Sequence, residues 1–241
     1  MAVVALTDAT TYVHGYDMTG DTNDVRLVTD VVELDKTNFG SGGWKEVIGG
    51  LRSAVFTSAG FWQAGATSID VESFPDLGTV DRVHTVAPFP TEGNPAYMFK
   101  AGKMQYALGG KHGELAPFSL KSVGTNAHGV VRGKLLKAKG NVSATGALGT
   151  AVELAAVGAS EYVYATFHVF SAGTTITAVL ESDDNSGFTS ATTRATFGPI
   201  TTTGGTWATR VAGAITDTHW RLRVTAITGT FSVAGAVGIG S

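Results

Sequence analysis

The residues best placed to do chemistry form a run of oxygen ligands at Asp183, Asp184 and Asn185, with Gly187 two positions later. Two carboxylates and a carboxamide followed by glycine can wrap a Ca²⁺ ion. The run lacks the alternate ligand positions and the bidentate glutamate of an EF-hand, and Asp, Asn and Gly also make the commonest hairpin turn. We therefore expect a turn here, with a calcium site as the alternative.

Other patterns that would indicate catalysis are missing. No two histidines have metal-ligand spacing, and the absence of cysteine removes disulfides, thiolate zinc sites and cysteine nucleophiles. The chain has no G-x-S-x-G elbow and no phosphate-binding glycine loop. We expect no enzyme activity, no catalytic residue and no cofactor. The histidines on predicted strands are interpreted as ordinary strand residues, and they are His168 and His219.

The elements around these residues are predicted to be strands. In the second half of the chain apolar residues alternate with polar ones, which is typical of half-buried strands. Gly, Asn, Asp and Ser separate the runs, and no stretch has a helical period, so a compact antiparallel β-sandwich is expected. The alternating runs begin at Val163, Ile176, Trp220 and Phe231.

The first half is also predicted to be mainly β, with one short helix. Residues 12–17, 25–34, 53–63, 96–108, 117–123 and 130–137 are rich in β-branched and apolar residues. Trp44, Val47 and Ile48 have i, i+3, i+4 spacing and are followed by glycine, which favours one or two helical turns over 41–50. Segment 64–95, with four prolines, is expected to be a long loop, often an interface feature.

Composition indicates a boundary near Gly140. Every lysine lies at or before Lys139, and the remainder is rich in Thr, Ala and Gly. The glycine-punctuated stretch 139–149 is typical of a linker. We therefore predict two domains, at residues 1–140 and 141–241.

Low charge limits the partners that the surface can hold. Only 15% of the residues are charged and the formal net charge is −3, against about 25% charged residues in an average domain. This leaves no basic footprint for gripping nucleic acid. The first residues are unlike a secretory signal, and the apolar runs are far shorter than the ~20 residues of a membrane-spanning helix, so no membrane association is expected.

A string of motifs in the first half resembles the major tail tube protein of long, non-contractile (siphovirus-type) bacteriophage tails. The similarity covers roughly residues 10–137, and the second half is similar to an extra β-sandwich domain appended to some tail tube proteins. The motifs are YDMTGDTND (16–24), VELDKTNFG (32–40), WKEVIGGL (44–51), SAGFW (58–62), PAYMFKAG (95–102), GELAPFS (113–119) and VVRGKL (130–135), then YVYATFHVF (162–170), LESDDNSGF (180–188) and AITDTHWR (214–221).

The resemblance implies a virion structural protein without catalysis. Members of this family assemble into rings, usually hexamers, that stack around a tape-measure protein, and their inner sheets close a β-barrel around a lumen for DNA. The implied partners are further copies of the chain, the tape-measure, tail tip and tail terminator proteins, and viral DNA that passes without specific binding. Assembly would take place in the host cytoplasm. If the second half were a divergent repeat, each ring would be a trimer instead.

The same resemblance predicts an assembly interface in the loop after Leu34, through the predicted Trp44 helix, and in segment 64–95. An alternative is that Trp44, Phe61 and Trp62 belong to the core. The candidate interface residues are Phe39, Trp44, Ile48, Leu51, Phe74 and Phe89.

A carbohydrate-binding or host-adhesion protein is the second functional hypothesis. It depends on the predicted C-terminal sandwich and on aromatic residues whose faces could stack on sugars. The residues considered for that role are Tyr162, Tyr164 and Trp207.

Overall fold

The computed structural model describes residues 5–63, 65, 68–125, 127–208 and 210–241. The fold is mainly β, built from antiparallel sheets, as the sequence predicts. No helix in these ranges is long and apolar enough to cross a membrane. The strands are β1 Thr10–Val13, β2 Tyr16–Asp17, β3 Thr22–Asp35, β4 Val47–Phe61, β5 Arg82–Ala87, β6 Pro95–Leu108, β7 Pro117–Gly124, β8 Val131–Val142, β9 Gly146–Glu153, β10 Tyr162–Ser171, β11 Thr175–Asp183, β12 Thr192–Ile200, β13 Gly204–Trp207, β14 Val211–Ala212, β15 His219–Thr228 and β16 Phe231–Gly240.

Two short helical segments accompany these strands in the described ranges: a 3₁₀ turn at Phe39–Ser41 and the α-helix α1 at Ile69–Ser73. The helix predicted over 41–50 was wrong, because Val47 and Ile48 begin the long strand β4. The i, i+3, i+4 spacing of three apolar residues arises from a turn followed by a strand whose two faces are both exposed. The α-helix instead lies in segment 64–95, which was predicted as a loop and also contains β5.

Four strands in the order β3-β4-β7-β6 form what we call the inner sheet. Directly opposed residues share a face, and one face is buried: Leu27 opposes Phe56, which opposes Ser122. Further along the same face Ser58 opposes Leu120, and both are buried. This face packs on Val86 and Phe99 of β5 and β6, so the inner sheet has one side in the core and one side in solvent.

The inner sheet continues at β6 into a nearly closed barrel in the order β13-β10-β16-β8-β6-β5-β1-β2. Its two ends meet where the Gly205 N–H donates to Nδ1 of His14 at 3.0 Å. The backbones approach so closely that a Cβ on Gly15 would lie 2.7 Å from the Gly204 nitrogen. Glycine at these positions is therefore what allows the barrel to close.

The second half forms the expected β-sandwich. Strands β12-β11-β15-β9 make a separate sheet that packs on β10 and β16 of the barrel. Trp220, Phe167 and Phe197 are completely buried between the two layers. The core of this sandwich is the largest apolar cluster in the described chain.

The predicted linker at 139–149 was wrong. Strand β8 runs through Gly140 to Val142, and β9 begins at Gly146 after a short turn. Strand β16, near the end of the chain, pairs with β8 along its length. The division into domains 1–140 and 141–241 stays a prediction, with β8 and β16 hydrogen-bonded across it.

Two buried histidines lie inside the barrel region. His84 stacks on Phe99 and its Nδ1 donates to the Arg82 carbonyl at 2.9 Å, while its Nε2 has no hydrogen-bond partner in the described residues. His168 donates from Nδ1 to the His14 carbonyl and accepts at Nε2 from Thr85, each at 2.8 Å. Burial lowers the pKa of His84 to about 3 and that of His168 to about 4.

These histidines predict acid sensitivity of the fold. An unfolded histidine has a pKa of about 6.5, so the unfolded chain binds more protons than the folded chain between about pH 6.5 and pH 3. Stability is therefore full above about pH 6.5 and falls as the pH drops, by up to about 1.4 kcal/mol per pH unit for each histidine. The free energy of unfolding from denaturant titrations at several pH values measures this slope.

The variant His84→Phe keeps an aromatic ring against Phe99 and removes the proton-binding site, so its slope should be shallower. The exposed His112 provides the matched control, because His112→Phe should leave the slope as in the wild type. An equal slope in His84→Phe and the wild type would show that His84 does not take up the proton.

Candidate assembly surfaces

The β3–β4 hairpin extends well beyond the rest of the inner sheet. Strand β4 pairs with β7 only from Val55 onward, so no third strand among the described residues pairs with the part beyond the opposed residues Asp30 and Ser53. We call residues 31–52 the ribbon. Its apolar side chains are exposed on both faces, and they are Val31, Val32, Leu34, Phe39, Trp44, Val47, Ile48 and Leu51.

A two-stranded ribbon of this kind is marginally stable in water without a packing partner. Trp44 is 81% exposed and Leu51 is 84% exposed. Contiguous apolar surface of this size is typical of an interaction site. The ribbon is therefore a surface that gains stability when another molecule covers it.

The structure brings four of the six predicted interface residues together on the ribbon: Phe39, Trp44, Ile48 and Leu51. Phe74 is exposed at the end of α1, and Phe89 is half-buried in the loop after β5. The alternative that Trp44 and Phe61 belong to the core was wrong, since both are exposed. An assembly role for the six residues stays a prediction.

The inner sheet has two unpaired strand edges. Strand β3 pairs with β4 on one side, and no described strand pairs with its other side from Thr22 to Asp35. Strand β6 pairs with β5 only as far as Ala101, and no strand of the described ranges pairs with the same side of β6 from Met104 to Leu108. Long open edges are templates for pairing with another chain. Sequence reasoning missed both edges, because strand pairing is a property of distant segments.

The solvent-facing side of the inner sheet carries few charged side chains, and their charges nearly cancel. Its central row runs across all four strands as Arg26, Thr57, Lys121 and Gln105, each opposed to the next. The remaining positions of this side are exposed or half-buried, and they are Asp24, Val28, Asp30, Ser53, Val55, Ala59, Phe61, Ala107, Pro117, Ser119 and Val123. Two acids and two bases balance one another on this side.

A second exposed apolar surface surrounds α1. Val71, Phe74 and Leu77 are exposed there, and the Phe74 ring meets Tyr106 edge-on with centroids 5.9 Å apart. The helix is held to β6 by the Tyr106 hydroxyl, which donates to Asp70 Oδ1 at 2.7 Å. We call residues 69–77 the α1 segment.

A buried lysine fixes the other side of the α1 segment. Lys103 Nζ donates to Ser73 Oγ at 3.2 Å and to the Glu72 carbonyl at 3.3 Å, and lies 3.5 Å from Asp76 Oδ2. Burial lowers the pKa of Lys103, although Asp76 opposes that shift. Arg82 also pairs with Asp76. These contacts make the segment a fixed part of the surface.

A cavity of about 440 Å³ lies beneath the free edge of β3, on the buried side of the inner sheet. Val25 and Leu27 of β3 line one wall, and Val86, Tyr97 and Val130 line the other. Arg132 is the one charged residue in its lining. We call this cavity the β3 groove.

The oxygen-rich run at 183–185 forms a turn. Asp183 is buried and accepts hydrogen bonds from the Ser190 N–H at 2.9 Å and from Asn185 Nδ2 at 3.0 Å. Burial raises the pKa of Asp183, but hydrogen bonds from the backbone N–H groups of Ser190 and Asn185 and with Asp184 outweigh it, so the pKa is lowered. In the described ranges no group of three or more His, Asp and Glu could hold a metal ion.

Because the Asp183 carboxylate already has hydrogen-bond donors within the turn, we expect that chelation leaves the protein's stability unchanged. The donors to Asp183 come from the chain itself, so removing divalent cations should cost no hydrogen bond. The thermal midpoint with EDTA should equal the midpoint with added Ca²⁺, measured by calorimetry. A midpoint that rises with Ca²⁺ would restore the calcium alternative.

The aromatic residues considered for sugar binding do not form an open platform. Tyr164 is completely buried, and its ring contacts Trp207 with centroids 5.7 Å apart. The guanidinium of Arg210 covers the face of Tyr162 at 3.2 Å from the ring centroid. These rings are occupied by contacts within the chain.

Comparisons with known proteins find similarity only among solved structures. No family model and no curated protein matches the chain. A chain of the native gene transfer agent virion is 22% identical over 51% of this chain and 95% of its own, with a TM-score of 0.41. A tail chain of the empty gene transfer agent particle, refined with C6 symmetry, is 22% identical over 44% and 79%, with a TM-score of 0.37.

The SPP1 Dit protein, described as a hub adsorption apparatus of phages that infect Gram-positive bacteria, is 13% identical. The match covers 97% of this chain and 99% of the SPP1 Dit chain, with a TM-score of 0.41. These three solved structures are thus a virion chain, a tail chain and an adsorption hub protein. All these TM-scores are below 0.5, so the function has to be inferred from the surfaces of this chain itself.

The exposure of the ribbon predicts that its residues are dispensable for folding. Trp44→Ala should change the free energy of unfolding of the monomer by less than about 0.5 kcal/mol, because a surface substitution loses no core contact. The core control Phe118→Ala should cost about 3–5 kcal/mol. Denaturant titration at a concentration where the protein is monomeric measures both, and a core-sized loss for Trp44→Ala would contradict the interface assignment.

Proposed function

We propose that this chain is a structural subunit of a phage tail that assembles into stacked rings and forms a tube for DNA. The observation that carries the proposal is that both outer strands of the inner sheet have an open edge, β3 on one side and the last part of β6 on the other. Strands alternate in direction across this sheet, so β3 of one copy and β6 of the next run antiparallel when copies are related by rotation. The same contact can therefore repeat from copy to copy.

Ring closure follows from the kind of contact. Joining two different edges is a head-to-tail contact, which generates a closed ring when the rotation between copies divides a full turn. Closure converts the inner sheets into one barrel and leaves those sheets without an open edge. The family resemblance of the sequence supports six copies in each ring.

The solvent-facing side of the inner sheet suits the wall of a DNA channel. It carries as many acids as bases and mostly Ser, Thr, Ala and Val, so it offers few phosphate anchors. Strong binding would arrest DNA, whereas a balanced wall lets it pass. In this arrangement the sandwich of the second half lies on the outside of the tube.

The ribbon provides contacts between rings. It extends along the strand direction beyond the inner sheet, and its exposed apolar residues need a covering partner. Stacking a second ring on the first supplies that cover. The resemblance further implies a tape-measure protein in the lumen, tip and terminator proteins at the ends, and assembly in the host cytoplasm.

Negative-stain microscopy of the purified protein tests this proposal, and we expect hollow tubes or rings. The sharpest variant replaces residues 31–52 by an Asn-Gly turn between the opposed residues Asp30 and Ser53, because a two-residue turn of this type joins directly paired positions. The shortened chain should remain folded by circular dichroism and should form no tubes.

Leu51→Asp is a milder variant that should weaken tubes in the same direction, and Leu115→Asp, at an exposed leucine outside the ribbon, is its matched control. If the shortened chain formed normal tubes, the ribbon would not be required for stacking, and that part of the proposal would be wrong. Particles of one size at every concentration that bind a glycan array would favour the adhesion hypothesis instead.

A further inference from the structure

We propose that the α1 segment of one copy docks into the β3 groove of the neighbouring copy, with Phe74 in the apolar cavity and Glu72 beside Arg132. The inference deepens the proposed function and rests on it, since it requires that β3 meets β6 of a second copy. It assigns an occupant to the groove and a task to the exposed side of a helix whose other side, at Ile69 and Ser73, is buried in the fold.

Both features lie on the same side of the inner sheet. Ile69 of α1 packs with Phe118 and Leu120 of β7. Leu120 opposes Ser58, which opposes Val25 in the wall of the β3 groove. Opposed residues point to the same side, so the helix and the groove both lie on the buried side, away from the channel wall.

The helix and the groove also lie at the same height along the strands, at the two opposite edges of the inner sheet. Tyr106, which holds α1, opposes Leu120, and that row continues through Ser58 to Val25. The helix therefore lies beside the open edge of β6, and the groove lies under the open edge of β3. Joining these edges between copies brings the α1 segment of one copy to the groove of the other.

Shape and charge then favour this occupant over other segments. The groove is apolar except for Arg132, which has no ion pair in the described part of the chain. The helix carries Asp70 and Glu72 and no basic residue, with Val71 and Phe74 exposed beside them. The ribbon, another exposed apolar segment, carries three bases and three acids, so it offers Arg132 no net negative charge. The bases are Lys36, Lys45 and Arg52, and the acids are Glu33, Asp35 and Glu46.

A charge exchange tests the contact. Arg132→Glu and Glu72→Lys should each raise the protein concentration needed for assembly about tenfold, because each places like charges together. The chain with both substitutions should assemble at close to the wild-type concentration, since the pair is restored in reverse. Lys111→Glu and Asp184→Lys, at exposed positions outside both surfaces, should behave as the wild type.

The outcomes separate this inference from the proposed function. If the shortened-ribbon chain loses tubes while both single charge variants assemble normally, the proposed function stands and the docking contact is overturned. If the singles weaken assembly and the double substitution does not restore it, the contact is overturned as well. Circular dichroism of each variant shows that it is folded.

Cross-linking gives a second readout that does not need tubes. The natural chain has no cysteine, so Thr29→Cys and Val71→Cys, both at exposed positions, each introduce one thiol. Mixing the two single-cysteine chains under mild oxidation should give a mixed disulfide dimer as the main product. Only like-with-like dimers, or no dimer at high concentration, would overturn the inference even if the wild type forms tubes by another contact.

Discussion

The structure depends on one constraint, which is that the backbone N–H and C=O groups at the side of a strand need partners. The barrel meets it by nearly closing on itself at His14 and Gly205, whereas the four-stranded sheet of the sandwich ends in the edge strands β12 and β9. The inner sheet does not meet it within one chain, because β3 and the end of β6 each have an open side. These two edges of the inner sheet are the ones through which we propose that copies associate.

The rest of the molecule keeps these edges in place. Strand β6 is shared by the inner sheet and the barrel, and β16 joins the barrel to the sandwich through its pairing with β8. The buried face of the inner sheet rests on Phe99 and Val86, so the sheet cannot shift without opening the barrel core. Lys103 and Tyr106 likewise tie α1 to β6. The open edges and the surfaces beside them are thus parts of one rigid framework.

The sequence predicts what depends on local pattern. Alternation at Val163, Phe167 and Trp220 predicts half-buried strands, and these three residues do lie in the sandwich core. Strand β10 is nevertheless buried on both faces, because its other side lies in the barrel core through Tyr164. Sequence alternation does not identify a strand whose two faces are both exposed. Trp44 and Ile48 show no alternation because neither face of the ribbon is buried, so a helix was predicted there instead. The open edge of β6 could not be predicted at all, since it exists only because β5 ends its pairing at Ala101.

The charges on β3 explain how an open edge is kept from pairing with its own kind. Strand β3 carries Asp24, Asp30, Glu33 and Asp35 against one base, Arg26. Two β3 edges brought together would set acids near acids, which is unfavourable across a strand pair. The open part of β6 from Met104 to Leu108 has no charge, so in the proposed ring it would pair with β3 without that penalty. Low overall charge would then permit close association between copies, and the excess of acid on β3 would limit that association to the edge of β6.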